Sequence, residues 1–158
     1  MTAVRSPEES LPIPPEALHF DEVVLRFGGI VPGNLARKTV PYYHFRILAG
    51  EKVPIGHINF RIGDTDHVRM SAGHIGFEIL TPHRGRGRAF QACKAIAPFV
   101  GSFYEVVTLT CDPDNLASIR TIERLGAEFI DEIRVPTNDP HYLRGSRQKY
   151  RYHWTVRG

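Results

Sequence analysis

The chain has 158 residues, of which 42% are hydrophobic and 23% charged, with a net charge of +3 and a pI near 9.0. This length and balance suit one globular domain with a hydrophobic core, and no window approaches the roughly 20 apolar residues of a membrane-spanning helix. The mild positive bias suits a phosphate-bearing ligand but is too small and too scattered to imply nucleic acid.

Residues 1–18 read as a partly ordered lead-in, because Pro7, Pro12, Pro14 and Pro15 disfavour regular structure; a single domain is expected over 19–158. The N-terminus lacks the charged start and apolar stretch of a signal peptide. Cys93 and Cys111 form neither a metal-ligand spacing nor a disulfide framework, so we expect reduced thiols, no metal and a cytoplasmic protein.

Strand signals then follow closely. Glu22 to Phe27 is a short β-rich run, and Tyr42 to Leu48 alternates. Val53 to Ile62 follows the turn at residues 49–52, which predicts a hairpin. Gly73 to Leu80 is apolar at Ile75, Phe77 and Ile79, with period 2. At Gly87 the period becomes helical. Ala89, Phe90, Ala92, Cys93, Ile96 and Ala97 share a stripe that Pro98 and Gly101 should end. Glu105 to Thr110 reads as a buried central strand. A second helix is expected from about Asn115 to Leu125, closed by Gly126. Ala127 to Val135 and Lys149 to Val156 complete the set. This order predicts an α/β (α+β) domain: a single mixed, mostly antiparallel twisted sheet of about six to seven strands, flanked by helices. Gly63–Ala72 and Pro136–Arg147 are long enough to be functional loops.

The segment from Gly73 to Ala89 carries the chemistry. A strand runs into a glycine-rich turn, and the turn opens a helix, whose first N–H groups are free and whose dipole is positive there. Gly85 and Gly87 let a ligand approach the backbone, and Arg84, Arg86 and Arg88 add charge, which together describe a pyrophosphate cradle. The Gly-Lys-Ser/Thr of a P-loop is absent. A dinucleotide fingerprint would want a third glycine where Phe90 stands.

Arg84-x-x-Gly87-x-Ala89 resembles the coenzyme A motif of the GNAT superfamily of N-acyltransferases. Ile75 to Leu80 looks like that family's fourth strand, whose backbone pairs with the pantetheine arm. Asn115-x-x-Ser118-x-x-x-x-Glu123-x-x-Gly126-Ala127 is similar to its second signature. The resemblance covers roughly residues 53–135. It implies acetyl-CoA as co-substrate, bound by Phe77, Ile79, Arg84, Gly85, Arg86, Gly87, Arg88, Ala89, Asn115 and Ser118. It also implies a small-molecule or peptide amine as acceptor; the scattered charge and the lack of a long apolar run argue against nucleic acid and membrane partners, and strand pairing at the sheet edge would allow a homodimer. Two departures stand out. The family's two helices between its first strands have only Gly28 to Pro41 available here, which predicts a loop or one short helical turn. The frequent tyrosine seven residues after the asparagine is Ile122. The chain instead resembles the branch that includes ribosomal-protein N-terminal acetyltransferases, in which the Asn-x-x-Ser serine has that role.

The expected chemistry is direct attack of the amine on the thioester, with Ser118 at the leaving sulfur and backbone N–H groups near Ile79 at the carbonyl. A lysine-like amine costs about 4.6 kcal/mol to deprotonate at neutral pH, an α-amine only about 1 kcal/mol. Glu78 and His74, on one strand face by parity, are the candidate bases. His57 and Asn59 on the neighbouring strand, with His141, Tyr142, Arg144 and Arg147, are candidates for holding the acceptor; Thr65, Asp66 and His67 lie in the other long loop. Cys93 falls in the helix's apolar stripe and reads as core. Two other readings are a degenerate relative that binds acyl-CoA without turnover, and a nucleic-acid binder using the arginine-rich turn and the Tyr150, Tyr152 and Trp154 strand.

Overall fold

The alternation of apolar and polar side chains makes the first half of the chain a meander of strands. In the computed structural model, which describes residues 10–50 and 52–157, these are β1 (Ala17–Phe20), β2 (Val23–Val31), β3 (Tyr42–Leu48), β4 (Gly56–Arg61) and β5 (Ile75–Ile79). They pair antiparallel in chain order. Tyr43, Phe45 and Ile47 of β3, with Ile58 and Phe60 of β4, are fully buried. His44 and Arg46, with His57, Asn59 and Arg61, occupy the opposite face, as period 2 requires. One face of this sheet is therefore a core and the other a polar surface.

The apolar face packs against helix α1 (Arg88–Gly101), which buries Ala92, Cys93, Ala95, Ile96 and Val100. Aromatic edges fill the far end: Phe99 meets Tyr43 with ring centroids 4.9 Å apart, and Phe103 meets Phe60 at 5.4 Å. Pro98 does not end this helix, as the sequence suggests, but lies inside its last turn. Its ring removes one N–H donor, and Pro98 is exposed on the solvent side, where the carbonyl left without that donor can be hydrated.

The second half supplies β6 (Val106–Cys111), α2 (Leu116–Arg124), β7 (Glu128–Arg134), the short α3 (Pro140–Leu143) and β8 (Gln148–Thr155). β8 lies between β6 and β7, antiparallel to both. The described residues thus hold eight strands; β1 straddles the boundary drawn at residue 18 between lead-in and domain, and the sequence signals do not predict it. Hydrogen bonding divides them into ladders of five and three.

The division lies between β5 and β6, and it makes the site. At the start of β5 the two ladders are tied. The His74 N–H donates to the Thr108 carbonyl at 2.8 Å, the Thr108 N–H donates to His74 Nδ1 at 3.0 Å, and the Thr110 hydroxyl donates to the Ser71 carbonyl at 2.5 Å. Beyond this tie β5 and β6 share no ladder, and the sheet opens as a wedge.

After β2 the chain makes a single 3₁₀ turn, Leu35–Arg37, the short connection expected before Pro41. The two long loops contain a π-helical turn, Val68–Ala72, and α3 respectively. They are clasped together: Asp139 Oδ2 lies 2.8 Å from His67 Nδ1, while Asp139 Oδ1 accepts the His141 N–H. Among the described residues no helix is long and apolar enough to cross a membrane.

Candidate active site

Two cavities flank the open end of β5. One, of about 450 Å³, lies between β5, the glycine-rich turn and α2. The other, of about 490 Å³, lies over the polar face of β4 and β5, below the loop that carries α3. Both are lined by Phe77 and Glu78.

The first cavity is built for an anion. Gly85 and Gly87 have φ of 82° and 73°, the left-handed region that a Cβ disfavours. Among the described residues no acceptor takes the N–H groups of residues 85–90. Gly87 caps α1, so these donors gather at the positive end of the helix dipole. Arg124, from α2, closes the cradle. Its guanidinium lies 4.0 Å from the Phe90 ring centroid, and a Cβ on Gly87 would sit 3.0 Å from its Nη1.

The arginines of the motif divide their work. Arg84 donates through Nε to the Ile79 carbonyl at 2.7 Å, tying the turn to β5. Arg88 lines the cavity but points Nη1 at Glu22 and Gln91, at 2.8 and 3.0 Å. Arg86 is exposed and outside the lining. The cavity's positive character therefore comes from free amides, Arg120 and Arg124 as much as from the motif. Arg120, Thr121 and Arg124 were not anticipated. With Ala117 they recur at helical spacing on α2, which is the signal that could have found them.

β5 offers its backbone to this cavity. Leu80 N–H donates to Ile55, and Arg61 N–H donates to His74 across the β4–β5 ladder. Strand alternation then turns the backbone groups of Gly76 and Glu78 toward β4, and those of Phe77 and Ile79 toward the wedge. Gly56 allows this approach, since a Cβ there would collide with the Glu78 carbonyl.

Asn115 and Ser118 both line the cavity. The Asn115 side chain is the N-cap of α2, accepting the Ser118 N–H at 3.1 Å. No described group bonds to the Ser118 hydroxyl.

The second cavity gathers His57, Asn59, His141 and Arg144, four of the residues expected to hold an acceptor. Tyr142 lies outside the lining, its ring 3.8 Å from the Arg147 guanidinium carbon, and Arg147 Nη1 donates to its carbonyl. Arg61, Asp112, Ser146 and Lys149 line the same space and were not anticipated. Lys149 Nζ is 2.6 Å from Asp112 Oδ1, which also accepts the Ser146 hydroxyl at 2.7 Å. Burial works against the Asp112 carboxylate, but these bonds hold it below the usual range. Burial, with Lys149 and Arg144 nearby, pushes His141 down to about 4, so it is neutral at physiological pH.

Glu78, exposed and directly opposite His57 in the ladder, stands where the cavities meet. His74 does not: it is 4% exposed and lines neither cavity. Its Nδ1 accepts from Thr108, its Nε2 faces the Gly63 carbonyl at 3.1 Å, and burial lowers its pKa. Backbone partners, Thr108 in the sheet tie and Gly63 in the loop after β4, occupy both ring nitrogens. Cys93 is fully buried, its thiol pushed up to about 12 by that burial, which rules it out as an accessible thiolate.

A family model for the Acetyltransferase (GNAT) domain matches residues 13–128. No curated protein sequence matches the chain. Three of the solved structures it resembles each align on 72% of it. An acetyltransferase of the GNAT family from Bacillus anthracis does so with a TM-score of 0.56, 22% identity and 66% of its own length covered. The microcin self-immunity acetyltransferase MccE, in complex with acetyl-CoA and AMP, gives 0.54, 18% and 61%. RimL, a ribosomal alpha-N-protein acetyltransferase in complex with coenzyme A, gives 0.56, 16% and 62%. The chain thus spans less than two-thirds of each of these neighbours, and at such identities the likeness is one of fold. The match over residues 13–128 extends from before β1 into β7 and takes in both the glycine-rich turn and the capped start of α2; the chain belongs to the GNAT acetyltransferase family.

Proposed function

We propose that this protein transfers an acetyl group from acetyl-CoA to an amine, holding both reactants at once. The observation that carries this reading is the meeting of the two cavities at Phe77 and Glu78, which gives a coenzyme and an acceptor one shared edge. Binding both reactants in one geometry is the largest rate contribution available to such a site.

The residues fit the coenzyme. The unpartnered N–H groups of residues 85–90, with Arg120 and Arg124, suit a diphosphate. The backbone of Phe77 and Ile79 suits the amide-bearing arm that leads from the phosphates to the sulfur. Acetyl-CoA supplies an acetyl group already activated as a thioester.

The chain's residues then have three tasks. The Ile79 N–H, turned into the wedge, donates to the carbonyl oxygen as its charge grows. Glu78 accepts the acceptor amine's proton, directly or through water, with His57 beside it to orient the amine. Ser118, its hydroxyl without a described partner, donates to the departing sulfur. His74 has no part in proton transfer.

The test is paired. Calorimetry with acetyl-CoA should give a saturable heat, and thiol release from acetyl-CoA should depend on an added amine from a broad panel. Absence of coenzyme binding by folded protein would overturn the reading. Tight binding without amine-dependent release would identify a sensor in place of an enzyme.

A further inference from the structure

The acceptor cavity has more positive charge than an amine-binding site needs. Its lining contains Arg61, Arg144 and Lys149 against Glu78 and Asp112, with His57 and His141. Lys149 and Asp112 neutralise one another at 2.6 Å. That leaves Arg61 and Arg144 facing Glu78, and no described carboxylate pairs with either arginine.

Arg61 is placed with care. Its Nη1 donates to the Ala72 and Gly73 carbonyls at 3.2 and 3.3 Å, which fixes the plane of the guanidinium. Gly76 admits it to the cavity, since a Cβ there would lie 3.1 Å from both Nη1 and Nη2. Nη2 has no described partner. Burial lowers the Arg61 pKa, Tyr42 opposite it in the ladder offsets part of that, and nearby Arg144 lowers it further, so the two cations share a field that an anion would relieve. Arg144 faces the same cavity from the end of α3.

We infer that the acceptor carries, besides its amine, an anionic group such as a carboxylate or phosphate, which Arg61 and Arg144 hold. This rests on the acetyl-transfer reading, because Glu78 marks the amine end. Gly76, beneath the guanidinium, is two residues from Glu78 on β5, about 7 Å along a strand. The anion is therefore several bonds from the reacting nitrogen. Planar guanidinium groups suit carboxylate and phosphate oxygens. A polyamine would bring a second cation to this place and be repelled.

The experiment is calorimetry of four amines of similar length, titrated into the protein with and without saturating coenzyme A: ω-aminopentanoate, ω-aminobutylphosphonate, pentylamine and cadaverine. The two anionic amines should bind at least tenfold more tightly than pentylamine, and cadaverine most weakly; which of the two is tighter distinguishes carboxylate from phosphate. Arg144→Gln should abolish the preference and leave coenzyme A affinity unchanged. Equal binding of pentylamine, tighter binding of cadaverine, or a preference that survives in Arg144→Gln would overturn the inference. Failure of the transfer reading registers separately, as thiol release that no amine stimulates, because the binding preference is measured without turnover.

Discussion

The Asn115 side chain accepts the backbone N–H of Ser118 at 3.1 Å, so the two residues of the second motif have separate tasks. Asn115 satisfies a helix-start donor; Ser118 is thereby held with its hydroxyl free in the cavity beside the glycine-rich turn. Asn115→Ala should cost about 1 kcal/mol of stability and weaken coenzyme binding, whereas Asn115→Asp keeps the cap. Ser118→Ala should leave the melting temperature and coenzyme affinity nearly unchanged and lower kcat. Thermal melts, calorimetry and steady-state kinetics on the three variants separate these effects. Unchanged turnover in Ser118→Ala would remove the serine from the mechanism.

In the proposed reaction Glu78 is asked to make an amine neutral, and the size of that task depends on the amine. Glu78→Gln should reduce kcat/KM by about 100-fold or more for a lysine-like acceptor, and much less for an α-amine, whose deprotonation costs only about 1 kcal/mol. The measurement is kcat/KM across amines of graded pKa. A loss of equal size for all of them would mean that Glu78 positions the acceptor without taking its proton.

What was legible in the sequence is what is local. The cradle is one continuous turn, and its left-handed glycines and free amides follow from the residues themselves, so the turn that brings Gly85, Gly87 and Ala89 to one cavity is readable from the sequence. Period 2 in Tyr42–Leu48 and Ile75–Ile79 likewise gave the strands and their faces. The cavity over the polar face of β4 and β5 is different, since β4, β5, Asp112 just after β6, α3 with the turn behind it, and β8 each contribute to it. Asp112 and Lys149 meet only because β8 lies beside β6. Arg61 could have been found, as it continues the parity of His57 and Asn59. His74 shares the parity of Glu78, but parity is silent on where a strand ceases to border a cleft. At His74 the ladders are still joined, and the imidazole is spent on the tie.

Gly87 tests the cradle by shape and by charge. Gly87→Glu should abolish detectable acetyl-CoA binding, since its carboxylate would occupy the anion's place. Gly87→Ala should cost about 1 kcal/mol of stability, because φ of 73° disfavours any Cβ, and should weaken binding only partly, since the contacting Arg124 end can move. Arg124→Ala should weaken coenzyme binding without that loss of stability. Calorimetry and thermal melts on the three proteins provide the readout. Wild-type affinity in Gly87→Glu would refute the cradle.

His141 should make the fold sensitive to mild acid. Its folded pKa is about 4, depressed by burial and by Lys149 and Arg144, against 6.5 when unfolded. Between those values the unfolded chain takes up a proton that folded His141 refuses, so stability should fall as pH falls from 6.5 toward 4. His74, lowered by its own burial, acts in the same direction. Asp139 acts lower still. Burial opposes its charge, but the bonds from His67 and the His141 N–H depress its pKa below 3.8, so its contribution is present above that pH and lost only in stronger acid. Replacing His141 by glutamine removes one titration from the upper window and leaves the Asp139 clasp, which uses the backbone N–H of residue 141. The melting temperature of His141→Gln should therefore decline less than that of the wild type between pH 6.5 and 4, and the two curves should run parallel above pH 7. Curves that stay parallel throughout the acid window would show that the imidazole is not held neutral by its surroundings.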